Sequence, residues 1–238
     1  MTLWTTRLRD AGFLFVKGSE MRGALTSNGL AGWDAFADSW NDLGLDTYMA
    51  DGGRYRKRRH GAFQVIGSDV RRKPNQPHYQ SRDYNALNGG IARWFDPMLP
   101  AIAEGPALRS ILRLCHETFG MLTAAPAWHV EAHQFRIEAR QGQVGQPTPE
   151  GLHQDGVDWV LVLMIGRMNI ASGTTSIHGL DRVLLGSFTL EQPMDAALLD
   201  DHRVFHGVTA VQPLDPSEPA HRDVLVLTFR QETLPESI

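Results

Sequence analysis

The chain has 238 residues, 42% of them hydrophobic and 21% charged, with a formal net charge of −4. That length supports one sizeable core and that composition excludes a disordered chain. The slight acidity offers no global field for nucleic acid, and no run approaches the roughly 18 apolar residues of a membrane span.

In chain order, the N-terminal stretch mixes charged with apolar residues and carries no signal-peptide cleavage pattern. Thr5 or Thr6 caps a short helix that Gly12 ends, and Phe13 to Val16 follow as a short strand. Leu30, Trp33, Phe36, Trp40 and Leu43 recur at helical spacing and predict one amphipathic helix over about 30–44. Residues 47–97, rich in Arg, Tyr, Gly and Asn, read as strands and loops rather than core. Their basic residues, Arg54, Arg56, Lys57, Arg58, Arg59, Arg71, Arg72 and Lys73, have a solvated face or loop as their bland reading, which stays open for most of them. A second helix over about 106–123 turns Leu108, Ile111, Leu112, Cys115, Phe119 and Leu122 to one side. Cys115 is the one cysteine, so no internal disulfide forms; a buried thiol and a reducing cytoplasm are expected.

Beyond it the pattern turns to β-structure. Residues 128–137, Trp159–Ile165, Val183–Leu190, Ala196–Leu199 and Val224–Phe229 are strand-like, separated by clusters of Gly, Pro, Asp and Ser. The expectation is a single domain over 1–238, mainly β with flanking α-helices. Its helix-rich part runs to about 125 and its sandwich or jelly-roll core spans about 126–230, with the helices outside one sheet.

The main chemical signal is His153-Gln154-Asp155, with His206 far downstream. In extended chain, residues i and i+2 project from the same side, so His153 and Asp155 reach one metal. His206 arrives from a neighbouring strand after a stretch of β-structure. Two imidazoles and one carboxylate occupy one face of an octahedral Fe(II), leaving open positions for a co-substrate and O2. Arg222 opens the strand that runs to Phe229 and offers a guanidinium fork to the distal carboxylate of 2-oxoglutarate. An ordinary strand-end arginine in water is the bland reading. His129 and His133 are four apart, but His-Val-Glu-Ala-His is not the zinc-protease pattern and the stretch reads as a strand. Gln134 and Arg136 share one face of that strand, taken as the barrel interior, where a carboxylate or a structural ion pair would satisfy Arg136. His116, His178, His202 and His221 read as surface or packing residues.

The segments His153-Gln154-Asp155, Met168-Asn169, Val204-Phe205-His206-Gly207-Val208-Thr209 and His221-Arg222-Asp223-Val224-Leu225 resemble the 2OG-Fe dioxygenase family of bacterial free L-amino acid hydroxylases, the L-isoleucine hydroxylase type. Upstream, His133-Gln134-Phe135-Arg136, Tyr79-Gln80-Ser81, Tyr84-Asn85, Gly89-Gly90, Arg93-Trp94-Phe95 and the Arg56-x-Arg58 pattern match in the same order, so the resemblance covers roughly 50–230. It implies a double-stranded β-helix, a jelly roll with the metal in its mouth. It also implies His153, Asp155 and His206 as iron ligands, Arg222 as the 2-oxoglutarate clamp, and conversion of 2-oxoglutarate to succinate and CO2 as a small amino acid is hydroxylated. Many such enzymes place Ser two residues after the clamping Arg. Val224 stands there, so a second carboxylate partner falls to Thr209, Asn169 or Gln134. Arg56, Arg58 or Arg136 is expected to hold the substrate carboxylate, and Tyr79, Gln80 or Asn85 to line its pocket. Alternatives are the same chemistry on a peptide or carrier-bound substrate, and a catalytically idle metal-binding module. A homodimer is left open.

Overall fold

A computed structural model describes residues 3–85, 87 and 89–233. Helix α1 (Leu3–Ala11) ends where Gly12 turns left-handed at φ +77°, and β1 (Phe13–Val16) follows. Helix α2 (Gly18–Ser27), for which the sequence pattern gave no warning, comes next.

The single helix expected over 30–44 is in pieces: α3 (Trp33–Asp38), a 3-10 turn (Ser39–Asp42) and β2 (Gly44–Leu45). The helix stops because Leu43 turns extended, at φ −84° and ψ 134°, so that Gly44 and Leu45 pair with the next strand. Phe36 and Trp40 still pack edge to face in the core, at 5.2 Å between ring centroids. Their spacing reported burial correctly but not one continuous helix.

The rest of the chain contributes β3 (Arg56–Ile66), β4 (Asp69–Arg72), α4 (Pro100–Ala103), α5 (Pro106–Gly120), β5 (Ala127–Ala139) and β6 (Trp159–Met168). There follow β7 (Ile170–Ser172), β8 (Thr174–Gly179), β9 (Leu184–Thr189), β10 (Ala196–Asp200), β11 (Val204–Val208), β12 (Val211–Pro213) and β13 (Ala220–Glu232). Strand β3 corrects the reading of 47–97 as outside the core, since Ala62, Phe63 and Val65 are buried.

The large sheet runs β1-β10-β6-β13-β5-β3-β2, with β4 also on β3, and its pairings are antiparallel. Smaller sheets, β11-β8-β9 and β12-β7, form the second layer. One face of the large sheet buries Trp128, Val130, Leu161, Leu225, Leu227 and Phe229 against Leu108, Ile111, Leu112, Cys115 and Phe119 of α5. Each such large apolar side chain contributes about 1.5–3 kcal/mol by leaving water. The opposite face packs Val160, Ala197 and Leu199 against Ile177 and Val204 of the small sheet. The fold is therefore the expected jelly roll with helices outside one sheet. Among the described residues no helix is long and apolar enough to cross a membrane.

The two-residue period of the strands decides which side chains enter the space between the layers. On β13, Arg222, Val224, Val226 and Thr228 line it; on β5, His129, Glu131, His133, Phe135 and Ile137 do.

Candidate metal centre

His153 and His206 are brought together by the backbone. Each donates its N–H to the other's carbonyl at 3.0 Å, an isolated antiparallel bridge between the loop before β6 and strand β11. Their rings lie 4.3 Å apart between centroids. His153 Nε2 is 3.8 Å from Asp155 Oδ1, and His206 Nε2 is 3.7 Å from Asp155 Oδ2. One ligand atom from each of the three residues lies within 4.8 Å of those from the others.

The surroundings prepare these groups for a cation. His153 Nδ1–H donates to the Gly151 carbonyl at 3.0 Å, so in the neutral ring Nε2 carries the lone pair and faces Asp155. His206 Nδ1 is buried without a hydrogen-bond partner among the described residues. Burial pushes the Asp155 carboxyl up to about 7, against the pull of His153. Burial, aided by His153, holds His206 well below the ordinary imidazole value, so it is neutral. The donor set is the two-histidine, one-carboxylate face of non-haem iron sites, and the residues fit Fe(II).

A carboxylate that the sequence reading missed builds the loop. Asp201 accepts the backbone N–H groups of Asp155, Gly156 and Val157 at 2.9, 2.7 and 3.0 Å. Its signal was an Asp five residues before His206, too ordinary to single out. At Gly156, φ is +78° and a Cβ would meet the Tyr84 ring at 2.5 Å, so glycine is needed for both turn and contact. Asp201→Ala leaves these donors unsatisfied and is expected to lower Tm by roughly 5 °C. Fe(II) affinity, followed by anaerobic titration, should weaken on the order of 10–100-fold. Unchanged affinity would mean that the loop is held in some other way.

The cluster opens into a cavity of about 280 Å³ that also takes in Arg56, Arg58, Tyr79, Gln80, Asn85, Arg93, Glu150 and Arg222. Arg222 is buried, with Nε and Nη2 unpartnered among the described residues. Burial, reinforced by Arg167, lowers its pKa to about 10. Arg93 is buried in the same way, again with Nε and Nη2 unpartnered among the described residues. Gln80 Nε2 donates to the Asp155 carbonyl at 3.2 Å and takes its Oε1 bond from Asn85 at 3.0 Å. The solvated reading of the basic run fails for Arg56 and Arg58. These alternate inward along β3, are buried, and share Asp46 at 2.7 and 3.4 Å.

Four expected contributors point elsewhere. Gln134 and Arg136 lie on the helix-facing side of β5, one residue out of phase with the interior. Gln134 donates to Ser39 Oγ at 2.8 Å, and Arg136 grips both carboxylate oxygens of Asp223 at 2.8 and 2.7 Å. Asn169, at φ +52°, ties the loop after β12 through the carbonyls of Asp215 and Glu218. Thr209 Oγ1 accepts the N–H of Thr174 at 2.9 Å. None of the four lines the cavity.

The family model described as 2OG-Fe dioxygenase matches residues 37–228. The chain belongs to this family. As a 2OG-Fe dioxygenase it is an enzyme, and its family uses Fe(II), 2-oxoglutarate and O2. It is 28% identical to the 3(1)-hydroxy-L-isoleucine 4-dioxygenase of Pantoea ananatis, over 97% of this chain and 96% of that one. It is 24% identical to the L-isoleucine-4-hydroxylase of Bacillus thuringiensis, over 91% of this chain and 87% of that one. Among solved structures, a bsmA homolog from Methylobium petroleophilum superposes with a TM-score of 0.86 at 38% identity, covering 95% of this dioxygenase and 91% of that chain.

Proposed function

We propose that this 2OG-Fe dioxygenase hydroxylates a small free L-amino acid, with iron held by His153, Asp155 and His206 and the tail carboxylate of 2-oxoglutarate held by Arg222. The observation that carries the reading is a buried guanidinium, with Nε and Nη2 unpartnered among the described residues, in one small cavity with a two-histidine, one-carboxylate cluster. Bound there, Fe(II) supplies the redox chemistry that couples decarboxylation of 2-oxoglutarate to oxygenation of the substrate.

The chain's own residues do the rest. Arg222 stands among Val162, Val224 and Val226, an apolar wall that strengthens its pairing with a carboxylate and excludes water. Gln80 and Asp201 hold Asp155 in place through its backbone. Arg56 and Arg58 are already engaged by Asp46, so Arg93 joins them as the arginine freest to take the substrate carboxylate. Tyr79, Gln80 and Asn85 border the same space. The volume suits a pair of small metabolites better than a peptide, and the two isoleucine-oxidising relatives point to an aliphatic amino acid. The buried thiol of Cys115 fits a cytoplasmic setting.

The test is succinate release after anaerobic Fe(II) loading and addition of 2-oxoglutarate and O2, across a panel of free L-amino acids. At least one aliphatic member is expected to raise the rate clearly above the uncoupled background and to appear as a hydroxylated product. Background succinate with no stimulation by any member would overturn the free amino acid and keep the family chemistry.

A further inference from the structure

A second set of metal-ligand side chains lies beside the first and is used by nothing described so far. His60 on β3, His78 in the segment after β4, and Glu131 and His133 on β5 each bring one ligand atom within 4.8 Å of the others. The ligand atoms of the His153, Asp155 and His206 set fall within the same bound. Glu131 is the centre: His78 Nδ1 is 2.5 Å from Oε2, His133 Nε2 3.7 Å from Oε2, and His60 Nε2 3.7 Å from Oε1. His129 Nε2 stands further out, 3.9 Å from Oε1, and Lys73 Nζ donates to its other ring nitrogen at 2.9 Å.

We propose that His60, His78, Glu131 and His133 form a second site, for a divalent transition cation of the zinc type. Three imidazoles and one carboxylate are a tetrahedral N3O donor set. With bonds of about 2.0–2.2 Å, donors around such an ion sit about 3.4 Å apart, so the side chains need shift by only about an ångström.

His60 supplies an independent observation. It is buried, yet neither of its ring nitrogens has a hydrogen-bond partner among the described residues. Polar atoms left so in a folded interior are costly unless something else meets them. Glu131, His78 and His133 border the cavity, which gives an ion a way in.

Two contacts must change: the 2.5 Å hydrogen bond between His78 Nδ1 and Glu131 Oε2 opens to admit the ion, and Arg58 moves off His133. Arg58 Nη2 lies 2.7 Å from His133 Nδ1, and a neutral His133 that binds through Nε2 carries its proton on Nδ1. Arg58 therefore lets go of His133 and keeps Asp46 at 3.4 Å and its stacking on Phe95, 3.5 Å from the ring centroid. The site would also fasten the segment that carries Tyr79, Gln80 and Asn85. His78 exchanges both backbone hydrogen bonds with Arg93, and His60 does so with the 96–98 stretch. A cation between them pins both ends of this segment to β3 and β5.

The experiment uses the full chain and Co(II), whose visible bands are intense when it is four-coordinate. In a His153→Ala, His206→Ala double variant, one equivalent of Co(II) is expected to bind with that signature. Adding Glu131→Gln, or separately His78→Ala, should abolish it while Tm and circular dichroism show a folded protein. The parent chain should take up one equivalent more than the double variant, which reports the first site separately. Two results would overturn the proposal. One is no four-coordinate Co(II) in the folded double variant, meaning a cluster closed by its own hydrogen bonds. The other is Co(II) retained in both Glu131→Gln and His78→Ala.

Discussion

Arg222→Met is expected to raise the KM for 2-oxoglutarate by at least roughly a hundredfold while leaving the ligand-free protein as stable as the parent or more so. Two charge-assisted hydrogen bonds to a carboxylate contribute about 1.5–3 kcal/mol each, and each 1.4 kcal/mol is a factor of ten in affinity. In the ligand-free protein the same guanidinium is buried with Nε and Nη2 unpartnered among the described residues, and Arg167 adds like charge. Replacing such a group by an apolar side chain of similar length relieves desolvation rather than breaking a contact. A gain of about 1 kcal/mol would raise Tm by roughly 2–4 °C in a chain of this size. The two readouts are saturation kinetics in 2-oxoglutarate and thermal unfolding without ligand. A lower Tm with an unchanged KM would make Arg222 a structural residue and would take the co-substrate away from it.

The second large effect is expected at the first metal set. His153→Ala should bring succinate formation below about one hundredth of the parent rate, since losing an outer-shell partner alone costs about 10–100-fold and a direct ligand more. Folding should hardly notice. Among the described residues the ring of His153 hydrogen-bonds the Gly151 carbonyl and lies 3.5 Å from Glu150, and the bridge to His206 is made by backbone atoms that alanine keeps. Turnover measured at saturating Fe(II), beside a thermal melt, checks both parts. Parental turnover in a folded His153→Ala protein would refute the assignment of this centre.

How much of this was legible in the sequence depended on the range of the interaction. His153 and Asp155 are two residues apart, and their convergence needs only extended chain. His206 and Arg222 could be proposed because each opens a strand-like run. Gln134 and Arg136 failed for a reason of phase. Alternation says that they share a face of β5 but not which one, and a shift of one residue exchanges the faces. The deciding neighbour of Arg136 is Asp223, its register partner on β13, 87 residues away in sequence. Arg56 and Arg58 were candidates for the substrate carboxylate, yet they lie in a basic run whose bland reading was a solvated face. Had Lys57 and Arg59 been read as the other face of a strand, the alternation would have separated them. Lys57 reaches Glu138 and Arg59 reaches Asp42 on that side. Around Glu131, His129 and His133 were noticed only as a rejected zinc-protease spacing, and their grouping with His60 and His78 was hidden because β3, β5 and the segment after β4 meet only in three dimensions. Asn169 and Thr209 were sensible polar candidates, but their side chains are consumed in fixing turns.

The backbone bridge between His153 and His206 bears on how this centre comes apart. Each amide proton is guarded by the other residue's carbonyl, so neither exchanges with water while the other end stays closed. Backbone order is therefore expected to be lost at both positions together, as one local opening unit. Opening of the backbone at either histidine displaces both ring attachment points at once, whichever rotamer each imidazole adopts.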